Sequence, residues 1–242
     1  MMPRTSIVVV DDFYRDPLAI RDHALGRSFY TPYESDEDVA SGRRPTWWAS
    51  RFEEAGDCPV KSSKALTSAL EDACGETIDR SHWEASYPRD GSSRPLPGAD
   101  PATRGCLWNT SFHVKPDNGQ VLGDGVHNHV TDDWNGVGPD GWAGIVYLSP
   151  GAPPEGGLHL WRNVDARRRH DWMTPRENWR LIDSLGNVFN RLLLVRGDVP
   201  HSGARGWGNR LEEGRLYQTF FFRTHPESPG FRREPVEIEG VG

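Results

Sequence analysis

Long apolar runs are missing from this chain. The run at residues 6–10 is closed by Asp11 and Asp12, which is too short for a membrane helix or the apolar part of a signal peptide. The expectation is a cytoplasmic protein with no membrane partner. Cysteine is scarce: Cys58, Cys74 and Cys106 are an odd number without C-x-x-C spacing. That argues against a disulfide framework or a zinc ribbon and for reduced thiols. A basic surplus is also lacking, with 28 Lys and Arg against 35 Asp and Glu and a net charge of −7. Duplex nucleic acid is therefore not an expected partner, because its affinity comes mainly from neutralising phosphates. Hydrophobic residues make up only 36% of the chain, so a large aliphatic core is not expected either.

What is there points to turns and aromatic rings. Ten Trp compensate for the few aliphatic residues, and 26 Gly with 19 Pro imply many short strands rather than a helical bundle. A length of 242 residues suits one domain with a sizeable core. The reading is one domain over residues 1–242: helical and loop support over 1–104, a β core over 105–223 and an irregular tail over 224–242.

Residues 6–10 read as a buried strand. Asp16 and Pro17 open a helix with Leu18, Ile20, Ala24 and Leu25 as its buried stripe. Residues 31–57 read as irregular cover around Trp47 and Trp48, two rings that can either line a pocket or pack beneath the loop. Ser62 or Ser63 caps a helix through Ala73, with Gly75 just past its end. Residues 84–104 read as a long loop. Strands are expected over 107–114, 142–148, 158–161, 189–195 and 215–223 and in the histidine stretch 126–134, and a helix from Pro175 to about Leu185. Short strands with Gly and Pro turns suggest a sandwich or an open barrel.

The chemistry concentrates at His127 and His129, which are two apart and followed by Asp132 and Asp133. On a strand both imidazoles share one face. Imidazole and carboxylate suit iron, zinc, nickel or copper, and a non-haem iron oxygenase uses two histidines and a carboxylate on one face of its metal. His201, after the Gly197-Asp198 turn, can supply the distal ligand. The plainer alternative is a pair of surface histidines.

Several stretches taken together resemble the 2-oxoglutarate/Fe(II)-dependent oxygenases, and more narrowly a bacterial and phage group of prolyl-hydroxylase-like proteins. They are Val9 to Tyr14 with Asp16-Pro17, Val126-His127, Trp142 to Pro150, Gly156-Gly157, Asn190 to Asp198, His201, and Gly214 to Phe222. The resemblance covers most of the chain. It implies a β-rich α+β fold, a double-stranded β-helix (jelly-roll) with helices of the N-terminal half packed on it. It also implies Fe(II) held by His127 and His201, with O2 and 2-oxoglutarate as cosubstrates and hydroxylation of a small-molecule or amino-acid-like substrate. Arg215 stands where such enzymes bind the far carboxylate of 2-oxoglutarate, a role that suits a guanidinium fork. Tyr147 is a candidate second donor to that carboxylate, or else a core tyrosine. Arg205 and Arg210 are weaker alternatives to Arg215.

The family pattern is His-x-Asp or His-x-Glu, and here the third position is His129. Three readings follow: a metal held by His127, His129 and His201; a bulged strand that lets Asp132 or Asp133 complete the usual set; or a damaged site in a non-catalytic jelly-roll binding module. A cupin-like three-histidine metalloenzyme without 2-oxoglutarate is a further rival, because His127, His129 and Asp133 come close to its first motif. His113 and His159 can face the cavity and touch substrate, with core or surface as the reading preferred, and His23, His82, His170 and His225 are assigned to the surface. Trp142 and Trp161 can wall the pocket or fill the core. Arg167, Arg168 and Arg169 with His170 read as a solvated loop or as a landing point for an anionic substrate.

Overall fold

The computed structural model describes residues 5–31, 47–50, 58–89, 100, 103–165 and 175–225. The β-branched run at the start forms β1 (Ile7–Val10). Asp16 then caps α1 (Pro17–Leu25), its side chain accepting from the Ala19 N–H at 3.0 Å. The chain continues through β2 (Phe29–Tyr30) and β3 (Trp48–Ser50) to α2 (Lys64–Cys74). Ser63 caps α2, and Gly75 ends it in the left-handed region at φ 70°, as such a C-terminus requires. A short helix, α3 (Arg80–Glu84), follows. The rest is β: β4 (Phe112–Lys115), β5 (Trp142–Tyr147), β6 (Leu158–Asn163), β7 (Trp179–Leu185), β8 (Leu192–Arg196), β9 (His201–Gly203) and β10 (Arg215–Phe222).

These strands form two antiparallel sheets. One has seven strands in the order β1-β8-β5-β10-β4-β3-β2, the other three in the order β7-β6-β9. A bridge between His127 and His201 extends the smaller sheet beyond β9. From β4 onward the chain alternates between sheets: β4 in the large, His127 in the small, β5 in the large, β6 and β7 in the small, then β8, β9 and β10 in turn.

The period of two along each strand sorts the core. On one face of the large sheet Trp142, Val146, Leu192, Leu194, Phe220 and Phe222 pack with Ala24 of α1 and Leu66, Leu70 and Cys74 of α2. On the other, Ala143, Ile145, Tyr147, Leu193, Val195 and Phe221 meet Leu158 and Leu160 of the small sheet. The helices thus cover the outside, and the inner face is left to the small sheet and the site.

Several expectations are corrected. The helix expected to run to Leu185 is a 3-10 turn (Arg176–Asn178) followed by β7. β6 has an edge that needs hydrogen-bond partners, and β7 supplies them with a bulge at Leu160 and Trp161, so the ladder outweighs the local cap signal. The strand expected over 107–114 begins only at Phe112. Thr110 takes φ 68°, and the Asn109 side chain accepts from the Phe221 N–H at 3.0 Å, a side-chain bond that replaces a ladder bond. Trp48–Ser50 is a strand, not irregular cover, and pairs with β2 and β4. Leu18 is 55% exposed and leaves the α1 stripe to its neighbours. His82 is buried, with its Nε2 3.7 Å from the Cys106 sulfur. All three cysteines are free and buried. Residues 166–170, and the tail beyond His225, lie outside the described residues. Among the described residues no helix is long and apolar enough to cross a membrane.

Candidate metal centre

His127 does not sit in an extended strand. It makes a single bridge to His201, their backbone groups exchanging hydrogen bonds of 3.0 and 2.9 Å. The chain then bends, and the His129 N–H donates to the Gly197 carbonyl at 2.7 Å. The bridge and this bond tie the stretch to the turn before β9. One ring nitrogen from each of His127, His129 and His201 lies within 4.8 Å of the others, and the ring centroids stand 4.7 to 5.1 Å apart.

The second nitrogen of each ring is engaged. His127 Nδ1 lies 2.8 Å from the Gly125 carbonyl, His201 Nδ1 2.8 Å from the Val199 carbonyl, and His129 Nδ1 3.1 Å from Asp132 Oδ2. A carbonyl oxygen only accepts, so Nδ1 of His127 and of His201 must carry the proton, and in the neutral ring Nε2 keeps a lone pair. Burial, with His201 and His129 as neighbours, holds His127 well below the usual imidazole range. Burial, and then His129, brings His201 down to about 3. Both rings are therefore neutral at ordinary pH.

Asp132 spends both oxygens locally. Its Oδ1 accepts from the N–H groups of Trp134 and Asn135 at 2.8 and 3.2 Å, and its Oδ2 faces His129. Burial pushes this carboxyl up, but those hydrogen bonds outweigh it and hold it at about 2. Asp133 is exposed, and its carbonyl accepts from Tyr87 Oη at 2.7 Å and from Arg104.

The three imidazoles line a cavity of about 1250 Å³ between the sheets. Arg215, 1% exposed, reaches into it from the start of β10. Its Nε donates to the Gly156 carbonyl at 2.6 Å and one Nη to the Gly157 carbonyl at 3.0 Å. The guanidinium lies over the rings of Tyr217 at 4.8 Å and Tyr147 at 5.4 Å. The Tyr147 hydroxyl is buried without a hydrogen-bond partner, and burial, opposed by Arg215, raises it to about 12. Arg205 is instead paired with Asp117 at the surface, and Arg210 is exposed.

Other side chains complete the walls. His113, open above between cavity, core and surface, lines the cavity stacked on Tyr217 at 5.4 Å, with Trp47 and Trp108 at 5.0 and 5.6 Å. Trp47 thus lines the pocket while its neighbour Trp48 packs into the core. Trp142 belongs to the helix-covered core, and Trp161 packs with Val126 and Trp179 and donates to Ser202, so neither walls the cavity. Lys115 also lines it. It follows His113 by two residues on β4, so the period of two was the available signal.

No family model and no curated protein matches the sequence. Among solved structures, a prolyl-4-hydroxylase from Pseudomonas putida is similar at 13% identity over 91% of this chain and 93% of its own, with a TM-score of 0.41. A prolyl hydroxylase from Trichoplax adhaerens, solved with a peptide of the hypoxia-inducible-factor oxygen degradation domain, is similar at 14% identity over 90% and 83%, with a TM-score of 0.41.

Proposed function

We propose that this chain is an Fe(II)- and 2-oxoglutarate-dependent oxygenase on a double-stranded β-helix, with His127, His129 and His201 as its metal ligands. The observation that carries the reading is the engagement of all three Nδ1 atoms by oxygen acceptors. It leaves three Nε2 lone pairs for one ion, the arrangement in which metal-binding histidines are ordinarily held. Asp132 then orients His129 rather than binding metal. The alternation of strands between the two sheets supports the jelly-roll assignment.

Arg215 supports the cosubstrate. Its Nη1 and Nη2 lie 3.5 and 3.8 Å from where a Cβ on Gly203 would stand. Gly203 follows His201 by two residues on β9, so the guanidinium sits roughly 7 Å along the strand from the metal ligand. That interval suits a five-carbon dicarboxylate with its 2-oxo-acid end on the metal and its far carboxylate on Arg215. Tyr147, the other candidate donor, lies under the Arg215 guanidinium and does not itself line the cavity, so the reading rests on Arg215. Bound together, Fe(II) and 2-oxoglutarate supply oxidative decarboxylation coupled to hydroxylation of a small-molecule or amino-acid-like substrate by O2. The protein's residues hold, orient and exclude water.

A cupin-like three-histidine enzyme shares the imidazole set, but it gives no ligand to the Arg215 donor left over from the Gly156 and Gly157 carbonyls. The deciding experiment is an anaerobic titration with Fe(II) and then 2-oxoglutarate, followed by visible absorption. A charge-transfer band requiring both, lost in His201→Ala and weakened in Arg215→Ala, is expected. Iron binding without any band overturns the cosubstrate and favours the cupin-like reading; no iron binding leaves a binding module.

A further inference from the structure

We propose that Lys115 is a second cation of the seat that takes the far carboxylate of the 2-oxo acid, and that it sets the preference for a dicarboxylate; this rests on the reading above. Lys115 and Arg215 are direct partners across the β4–β10 ladder. Like charges facing each other on one sheet are destabilising, and both side chains reach the cavity. Among the described residues neither has a carboxylate partner. Lys115 Nζ donates to the Ala204 carbonyl at 3.0 Å and to Gln120 Oε1, while Arg215 donates to the Gly156 and Gly157 carbonyls.

Such an arrangement costs stability unless something neutralises it. A carboxylate between the two side chains would do so, and each keeps a donor for it: Nη1 of Arg215 and the third N–H of Lys115. Asp124, the carboxylate that acts on Lys115 among the described residues, accepts from the Val121 N–H at 2.9 Å and does so only through space. Gln120 braces the corner, donating to the carbonyls of Asp124 and Gly203 at 3.1 Å and so linking Lys115 to the strand that carries His201.

The groups facing Lys115 from the surrounding elements are Arg215 on β10, Asp124 in the turn after β4, and His159 on β6. Burial, and then Arg215, lowers its ammonium to about 7 against a small opposing effect of Asp124. Burial, and then the same two cations, lowers His159, so His159 adds no counter-charge. Lys115 is thus charged below about pH 7 and loses its charge above it. An anion in the seat restores the charge.

The test uses metal-free protein with glutarate, which carries the far carboxylate but no 2-oxo group, and with butyramide, a neutral ligand that has no carboxylate for the seat. Wild-type protein is expected to bind glutarate saturably and more tightly than butyramide, with affinity falling as pH rises through about 7. Lys115→Met is expected to weaken glutarate about tenfold or more and to flatten the pH profile, whereas Lys115→Arg recovers most of the affinity. Wild-type protein that does not prefer glutarate, or whose preference ignores pH, overturns the proposal without recourse to any variant. So does a folded Lys115→Met protein that binds glutarate as wild type does. Because iron is absent, failure here leaves the Fe(II) titration to judge the metal centre separately, and a seat that takes glutarate survives even if no charge-transfer band forms.

Discussion

At the scale of single residues, the centre is defined by where protons are rather than by charge. Burial keeps His127 and His201 neutral while their Nδ1–H donors aim them, and Asp132 aims His129 through a carboxylate. A three-imidazole face carries no negative charge of its own, so it accepts an anionic chelator without like-charge repulsion. Removing an orienting carboxylate ordinarily costs about 10- to 100-fold in metal affinity. Asp132→Ala is therefore expected to weaken Fe(II) or Co(II) binding by that order in a competition titration, and Asp132→Asn, which keeps one acceptor oxygen, by less. Complete loss of binding in both would make Asp132 a ligand instead. The sequence exposed the three histidines by their spacing and chemistry, and Arg215 through the family resemblance. It hid Lys115 and left His113 open between cavity, core and surface, since only the register of β10 against β4 brings them beside Arg215 and Tyr217.

Elements matter here mainly through their junctions. The histidine stretch was read as a strand, and its two rings do converge, yet the reason differs: one bridge to β9 and one bond to Gly197 hold it, not a ladder. The β10, β5 and β8 strands were legible because their apolar runs are buried on both faces. β7 was not, because its side chains are mostly exposed, Ile182 by 50%, and only a partner strand makes it extended. Gly197 shows how tightly such a junction is built. A Cβ there would stand 2.0 Å from the Gly138 carbonyl oxygen, and the Gly197 carbonyl is the acceptor for His129. Gly197→Ala is expected to destabilise by more than about 2 kcal/mol and to weaken metal binding as well. Gly119→Ala is the control: its φ is 69° but nothing lies within 4 Å of the added carbon, so the cost is about 1 kcal/mol of backbone strain with metal affinity kept. Chemical denaturation and a metal titration on both variants check the pair.

Across the whole molecule, one buried carboxylate fastens the helical layer to the sheet. Glu76 leaves the end of α2 and accepts from Arg196 of β8 at 2.9 Å, from Trp142 Nε1 of β5 at 3.0 Å and from Thr224 beyond β10 at 2.8 Å. Arg196 in turn lies 3.9 Å above the Trp142 ring. The Glu76 and Arg196 side chains are 10% and 6% exposed, so each would be a costly buried charge without the other. Burial pushes the Glu76 carboxyl up, but the hydrogen bonds from Arg196, Trp142 and Thr224 outweigh it, and the net shift is downward. A carboxyl lowered by folding contributes stability above its unfolded value, and that stability is lost as pH falls through the folded one. Glu76→Ala, which strands Arg196, is expected to cost about 3–5 kcal/mol at neutral pH. Glu76→Gln is expected to cost less and to make stability fall more gently on acidification than in the wild type. Urea unfolding at a series of pH values reads both effects, and a Glu76→Gln protein as acid-sensitive as the wild type would assign the acid lability to other carboxylates, with Asp132 the next to examine.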